Sequence, residues 1–294
     1  MSSRAQIVRF DDGRLHMNDG PIDLIVEASG HAGQITKAYR AAAERFATVL
    51  DELCSELSLL RRPPNDSALP SGVIARRMTA AVRPYASQEF ITPMAAVAGA
   101  VAEEILIAMT TAAELSRAYV NDGGDIALHL TPGEKFVVGM VQRPDRPSIF
   151  GTTAIEFDDP IRGIATSGWR GRSFSLGIAD AVTVLAGTAA MADAAATTIA
   201  NAVDLPDHPN VVRVPACDLA PDNDLGGLLV TQAVGELQAH EIDSALAKGA
   251  HRAQELRAAG LIHAAALSLQ GDVRIVGTDS QRLIQSRERN LIHA

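Results

Sequence analysis

The sequence predicts an α+β fold, with antiparallel sheets packed against long helices in one domain over residues 1–280 and a loose polar tail over 281–294. Three observations predict it. Short runs of strand-like character are joined by Asp-Gly and other glycine turns. A few long stretches carry a single apolar stripe at helical spacing. Strands and helices do not alternate one by one, as they would in a doubly wound parallel sheet. The strand–helix–strand order recurs in both halves and hints at an internal duplication, although no sequence period accompanies it.

Ile7-Val8-Arg9-Phe10, Leu15-His16-Met17 and Ile22 to Ala28 are separated by Asp11-Asp12-Gly13 and Asn18-Asp19-Gly20. This predicts a three-stranded meander, because glycine accepts the positive φ of tight turns. Ile35, Tyr39, Ala42, Phe46, Val49, Leu53, Leu57 and Leu60 then form one face of a long helix, ended by Pro63-Pro64. A polar loop runs to Gly72, and a short amphipathic helix covers Val73 to Val82. Thr92-Pro93 has the form of an N-cap with proline at the first helical position. The helix it opens runs through Glu114, and its small side chains suit close packing against sheet or ligand.

Five strands follow: Ile126 to Leu130, Phe136 to Val141, Thr152 to Phe157, Ile164 to Ser167 and Ala181 to Ala186. A helix is expected over Ala189 to Val203. Another is expected over Leu229 to Leu246 and Ala250 to Ala259, broken near Lys248-Gly249. Ala264 to Leu269 and Val273 to Val276 close a hairpin over Gln270-Gly271-Asp272.

Apolar residues make up 47% of the 294, enough to offset the ordering entropy of a core, so disorder is excluded for the bulk of the chain. With 26 Lys and Arg against 35 Asp and Glu, the net charge of −9 has the wrong sign for a nucleic-acid footprint. An aromatic content of 4% also leaves few stacking platforms for single strands. No nucleic acid is therefore expected as a partner. Nor is a membrane, because Glu103-Glu104 interrupts the apolar stretches Met94 to Ala102 and Ile105 to Met109. Met1 to Phe10 lacks the apolar run of a signal peptide. Cys54, inside a helical pattern, reads as a small core residue, and Cys217 lies far from it. The compartment expected is the reducing cytoplasm, and a homo-oligomer is compatible with all of this.

Three segments can carry chemistry. Asn121-Asp122-Gly123-Gly124-Asp125 precedes a strand; its glycines would let backbone N–H groups cradle a phosphate, or it is a tight turn closed by Asn and Asp side chains. Thr166-Ser167-Gly168-Trp169-Arg170-Gly171-Arg172-Ser173 joins hydroxyls, guanidinium forks and the single Trp. It fits phosphate binding with ring stacking, or a hairpin tip with solvated arginines. Asp193 and Thr197, four apart on a helix, share a face and could hold one hard cation such as Mg²⁺. Alternatively Thr197 bonds back to the carbonyl of Asp193 and the carboxylate meets solvent. Asp222-Asn223-Asp224 has a calcium-like look but lacks the bidentate Glu, so helix capping fits it better. The eight histidines form no metal-ligand spacing. Arg162, Arg170 and Arg172 suggest a basic island for an anionic nucleotide.

Taken in this order, the segments resemble the ApbE family, Mg²⁺-dependent flavin transferases once linked to thiamine biosynthesis. The family's Asn-x-Gly-Gly-Asp turn is matched by Asn121, Gly123, Gly124 and Asp125. Its Ser-Gly strand end is matched by Ser167-Gly168, and its Ala-Asp-Ala-x-Ala-Thr helix by Ala192 to Thr197. A closer resemblance is to a group of uncharacterised cytoplasmic ApbE-related proteins, through Phe90 to Gly99 and Arg162 to Arg172. The resemblance implies a T-fold-type architecture, Mg²⁺ on Asp193 and Thr197, and FAD or a related nucleotide as the small-molecule partner. Asn121, Gly123, Gly124, Asp125, Thr166, Ser167, Gly168 and Trp169 would bind that cofactor, with Arg170 and Arg172 assisting flavin or nucleotidyl transfer or pyrophosphate cleavage. Two departures stand out. Ala98-Gly99 occupies the place of the transferases' Lys-Gly, with Glu103 near their Asp. Phe174 to Ala181 also lacks their His-x-x-Asp-Pro-x-x-Gly segment. A binding protein without transferase chemistry is the alternative.

Overall fold

Turns at Gly13 and Gly20, both with positive φ, fold the first strands into the expected meander of β1 (Gln6–Arg9), β2 (Leu15–Asp19) and β3 (Ile22–Ser29). The computed structural model describes residues 4–65, 67–141 and 149–277; the tail over 281–294 lies outside them. Next come α1 (Ala32–Ser55), α2 (Leu57–Leu60) and α3 (Val73–Val82). The Thr92 hydroxyl accepts from the Met94 N–H and opens a 3₁₀ turn, Pro93–Ala96, that runs into α4 (Val97–Ala112). The hairpins β4 (Arg117–Asp122)–β5 (Asp125–Leu130) and β6 (Lys135–Val141)–β7 (Ile149–Glu156) follow. Then come β8 (Gly163–Ser167), β9 (Ala181–Ala186) and α5 (Ala189–Ala202). The chain continues through β10 (Val211–Pro215), α6 (Ala216–Leu219), β11 (Leu229–Val234) and α7 (Ala239–Ala258), and closes with β12 (Ala264–Leu269) and β13 (Asp272–Val276).

Nine strands form one antiparallel sheet in the order β1-β2-β3-β4-β5-β8-β9-β12-β13. Ile22, Leu24, Val26 and Ala28 alternate toward a core shared with α1, α3, α4, α5 and α7. On the other face, Phe136, Val138 and Ile155 of the β6–β7 hairpin pack with Leu128, Ile164 and Leu185. The internal duplication appears as topology: β2-β3, helices, β4-β5 in one half, and β8-β9, helices, β12-β13 in the other. The halves meet where β5 pairs β8, through only Ile126↔Ile164 and Ala127↔Gly163.

The structure departs from these expectations at several elements. The expected long helix stops at Ser55 and resumes as the short α2, because Glu56 leaves helical geometry (φ −113°, ψ 10°). Arg117–Asp122 and Val211–Pro215 are strands that the sequence pattern does not signal. Leu229–Val234 is a strand rather than the start of a helix, because its short apolar run pairs with β10. Nor is α7 broken at Gly249. A side chain there would stand 2.3 Å from Val203 Cγ2, so this glycine lets the helix approach its neighbours. Finally, Cys54 is exposed rather than buried. It follows Leu53, the last buried residue of the α1 stripe, and one residue turns it about 100° off that face.

The stretch Pro93–Ala112 is long and apolar enough to cross a membrane by composition. Here it lies among helices, and its two carboxylates are engaged: Glu104 pairs with Arg45 and Arg77, and Glu103 with Arg77. Its small side chains serve close packing. A Cβ on Gly99 would stand 2.3 Å from the Ala189 carbonyl oxygen of α5. By contrast, a Cβ on Gly33 in α1 would meet nothing within 4 Å. Gly99→Ala should therefore cost about 1–3 kcal/mol in denaturant unfolding, whereas Gly33→Ala should stabilise by about 0.5–1 kcal/mol through helix propensity.

Candidate functional site

Gly123 (φ +63°) and Gly124 (φ +118°) make the two-residue turn between β4 and β5. Asn121 Oδ1 accepts from the Gly124 N–H at 2.8 Å, so this side chain closes the turn. Asp122 and Asp125 face each other across it. From the other half of the sheet, Thr166 N–H donates to Asp125 Oδ1 at 3.2 Å, while the Thr166 hydroxyl bonds that of Thr183 at 2.9 Å. Asp193, in the second turn of α5, accepts from the Gly99 N–H at 3.1 Å. In return, Glu103 of α4 accepts from the Ala190 N–H at 2.7 Å. Each helix thus places a carboxylate on the free N–H groups that open the other.

The structure therefore gathers Asp122, Asp125 and Asp193 with few compensating cations. Burial raises the Asp122 pKa to about 7, opposed by the Asp23 backbone N–H and then by the positive charge of Arg172. Asp125 is pushed well above the ordinary carboxylate range, first by burial and then by the charges of Asp193 and Asp122. Burial also raises Asp193, against the Gly99 N–H that favours its charged form. Among the described residues no group of three or more His, Cys, Asp or Glu is arranged to hold a metal ion. Thr197 stands one turn beyond Asp193, half-buried beside a small cavity.

The second segment divides. Arg172 is exposed, and its Nη1 would lie 3.5 Å from a Cβ on Gly123, so it reaches the glycine turn. Arg170 does not: its Nε donates to buried Asp180 at 2.6 Å, and its guanidinium lies 4.2 Å from the Trp169 ring centroid. Trp169 donates its indole N–H to the same Asp180 oxygen at 3.2 Å. The other Asp180 oxygen accepts from Gln270 N–H. Asp180 thus organises Trp169 and Arg170 from eleven and ten residues further along the chain, a partnership that no local motif signals.

The basic island does not assemble. Arg162 stands at the opposite end of β8, bonded to the carbonyls of Phe157, Asp159 and Ile161. Ser167 ends β8 as expected, and Gly168 follows it at φ +152°. Asp222-Asn223-Asp224 caps no helix. Asn223 Oδ1 accepts from Leu225 and Gly226 N–H in a turn, and Asp224 accepts from the Thr92 hydroxyl.

Known proteins can now be set beside this geometry. A family model described as AbpE bacteria matches residues 6–275. The chain belongs to this family. A UPF0280 protein of Methanocella arvoryzae is 32% identical over 183 residues, 62% of this chain and 70% of that one. Another, of Methanopyrus kandleri, is 35% identical over 161 residues, 55% of this chain, which spans 61% of that relative's length. The resemblance to an ApbE-related family is borne out. Among solved structures, the apo flavinyl transferase ApbE of Pseudomonas stutzeri superposes with a TM-score of 0.44 at 12% identity, covering 93% of each chain. The ApbE protein of Thermotoga maritima gives 0.36 at 14% identity, over 84% of this chain and 76% of that one.

Two predictions follow from the electrostatics and the packing. A carboxyl group with a raised folded pKa favours the fold while protonated, and that contribution is lost as pH rises from about 4 through 7. Asp122→Asn should therefore raise stability by about 1–3 kcal/mol at pH 8 and change it little at pH 4, as read by thermal melts at both values. Asp180→Ala should release the indole, shifting the emission of this single Trp to longer wavelength and costing about 2–4 kcal/mol.

Proposed function

We propose that the crevice between the Asn121–Asp125 turn, the Thr166–Arg172 segment and α5 binds FAD or a related nucleotide through its diphosphate, with Mg²⁺ at Asp193 and Thr197. The carrying observation is that the glycine turn and α5 bring buried Asp122 and half-buried Asp125 and Asp193 together beside the open Gly123-Gly124 backbone, with only Arg172, among the described residues, reaching them. The donor set fits a magnesium site completed by substrate, since Mg²⁺ keeps water and takes one or two carboxylates plus phosphate oxygens rather than a closed protein cage. When bound, the ion would supply charge neutralisation at the phosphates.

The chain's own groups do the rest. Asp193 is aimed from α5 by its bond to Gly99 N–H, and Thr197 adds a hydroxyl on the same face. The open Gly123-Gly124 turn lets a phosphate approach the backbone, and Arg172 beside it would balance charge on the departing phosphate. A carboxyl group with a pKa near 7 suits proton transfer from an attacking hydroxyl at neutral pH. The activity supported best is flavin or nucleotidyl transfer, or pyrophosphate cleavage. The unpaired thiols Cys54 and Cys217 support a cytoplasmic setting.

A second reading, a flavin or nucleotide binder without chemistry, is favoured by the commitment of Arg170 to Asp180. The two readings separate cleanly in titration calorimetry with FAD, with and without Mg²⁺, followed by mass spectrometry of the mixture. Transfer or cleavage chemistry should give Mg²⁺-strengthened binding and release of FMN or AMP, both abolished in Asp193→Ala. Binding without product would favour the second reading, and no binding in either condition would sink both.

A further inference from the structure

The nine-stranded sheet ends at β1, whose outer edge has no neighbouring strand. Which of its backbone groups face that edge follows from the first hairpin. Phe10 N–H donates to the Arg14 carbonyl, and the same ladder continues through Val8↔His16 and Gln6↔Asn18. In an antiparallel pair, residues that exchange hydrogen bonds with the partner strand alternate with residues that do not. Phe10, Val8 and Gln6 therefore bond to β2, while Ile7 and Arg9 turn their N–H and C=O groups outward. Among the described residues no backbone hydrogen bond reaches these outward groups. The side chains are also uncovered on both faces. Ile7, on the face of buried Met17, is 41% exposed, and Val8, on the face of His16, is 52% exposed. Phe10 follows at 37%. Sheet edges are commonly guarded by a lysine, a proline or a bulge, and Gln6-Ile7-Val8 has none of these. The opposite edge is different: β13 carries Asp272 and Arg274, and Arg274 is bonded to Asp243 of α7.

We infer that β1 pairs antiparallel with β1 of a second copy of this chain, about a two-fold axis through Val8, so that one sheet runs through both molecules. Charge selects the direction. The segment begins with Arg4 and ends with Asp11-Asp12, so antiparallel self-pairing sets each end against the opposite sign, whereas parallel pairing sets like against like. The outward groups select the register. With the axis at Val8, Ile7 faces Arg9 of the second copy, and the two exchange N–H···O=C bonds in both directions. Val8 then meets Val8 of the second copy in a non-hydrogen-bonded pair, where side chains stand closest. An axis at Arg9 would oppose two guanidinium groups, and an axis at Ile7 would pair Arg9 with Ala5, outside the strand. On the helix face, the apolar stem of Arg9, whose guanidinium lies 5.5 Å from the Tyr39 ring centroid, covers Ile7 of the second copy. On the other face, Val8 and Phe10 from both copies form an apolar strip, with Phe10 already stacked on His16. Each copy gives and receives the same residues, so the contact closes at a dimer. A four-residue strand is far short of the roughly 20–30 residues a side of a standard interface, which sets the dimer in the weak class. None of this depends on the nucleotide reading.

Sedimentation equilibrium of the full chain, from about 1 to about 100 μM, should show a monomer–dimer equilibrium. Val8→Lys sets like charges opposite each other at the axis and should raise the dissociation constant about tenfold or more. Ile7→Pro removes an outward N–H while leaving the β1–β2 bonds in place, and it should weaken the dimer in the same way. Ile275→Lys on β13 should leave the dimer unchanged. Val8 and Ile275 are exposed, so dilute melts of their lysine variants should match the wild type, separating loss of the dimer from loss of the fold. The register is read by cross-linking under a mild oxidant in chains carrying Cys54→Ser and Cys217→Ser. Val8→Cys should form a disulfide between copies, because Cα atoms of a non-hydrogen-bonded pair stand about 4.5 Å apart. Ile7→Cys, placed opposite Arg9 of the second copy, should not. A monomer at every concentration overturns the inference, as does a dimer indifferent to both Val8→Lys and Ile7→Pro. Larger assemblies that Ile275→Lys breaks overturn the two-fold, since they join β1 to β13 head to tail. Cross-linking through Ile7→Cys and not through Val8→Cys overturns the register.

Discussion

Two carboxylates exchanged between α4 and α5 hold the two halves of this molecule together. Glu103 reaches from α4 to the Ala190 N–H, and Asp193 reaches from α5 to the Gly99 N–H. Hydrogen bonds to a charged group contribute about 1.5–3 kcal/mol each, and here they act where helix N-termini already favour negative charge. The exchange works only if the helices nearly touch, which is why Gly99 meets the Ala189 carbonyl and Gly163 on β8 meets Thr188. Much of the alanine content follows from that contact: Ala100, Ala189, Ala190, Ala192 and Ala196 are all buried. Larger residues would hold the helices apart and leave both carboxylates buried without partners.

The same contact explains where charge is left over. Glu103 is balanced by Arg77, and Glu104 by Arg45 and Arg77, so the α4 side of the interface is electrically complete. Asp193 has backbone N–H groups and the neighbouring charge of Asp122 instead. The arginines that could have relieved it serve elsewhere, Arg162 on the carbonyls before β8 and Arg170 on Asp180. The α4 carboxylates are thus neutralised, while Asp122, Asp125 and Asp193 gather with few compensating cations.

How much of this could be read from the sequence depended on how local each signal was. Gly13, Gly20, the α1 stripe and Thr92-Pro93 act through their immediate neighbours, and the meander and the cap stand as read; the long helix stands only to Ser55, breaking at Glu56 before the short α2 that carries Leu57 and Leu60. Arg117–Asp122 gives no clear strand signal because its alternation is half polar, and pairing with β3 and β5 on either side makes it a strand. Leu229–Val234 reads as helix from sequence because a short apolar run has no periodicity of its own, and pairing with β10 makes it a strand. At the site, the turn and the α5 pair were legible as motifs. The Thr92–Asp224 bond spans 132 residues, and the Asp180 partnership crosses two loops, so neither leaves a mark in local spacing.

The place where the three carboxylates gather follows from the seam itself. Elsewhere in the second half of the sheet, neighbouring strands share five registered pairs, but β5 and β8 share two. Continuing their register would set Asp125 opposite Ala165 and Gly124 opposite Thr166. Instead the strands part, and the Asp125 side chain accepts from the Thr166 N–H that a strand carbonyl would otherwise have taken. One carboxylate oxygen thereby ends the ladder and satisfies an N–H that would be orphaned at the opening. The turn at Gly123-Gly124 and the loop leading to Arg172 are then free to diverge on either side of it. A sheet made of two similar halves is weakest in backbone pairing at their junction. Here that weakness is offset by the α4–α5 contact, and the residues that meet at the parted strands, Asp125 and Thr166, come from both halves.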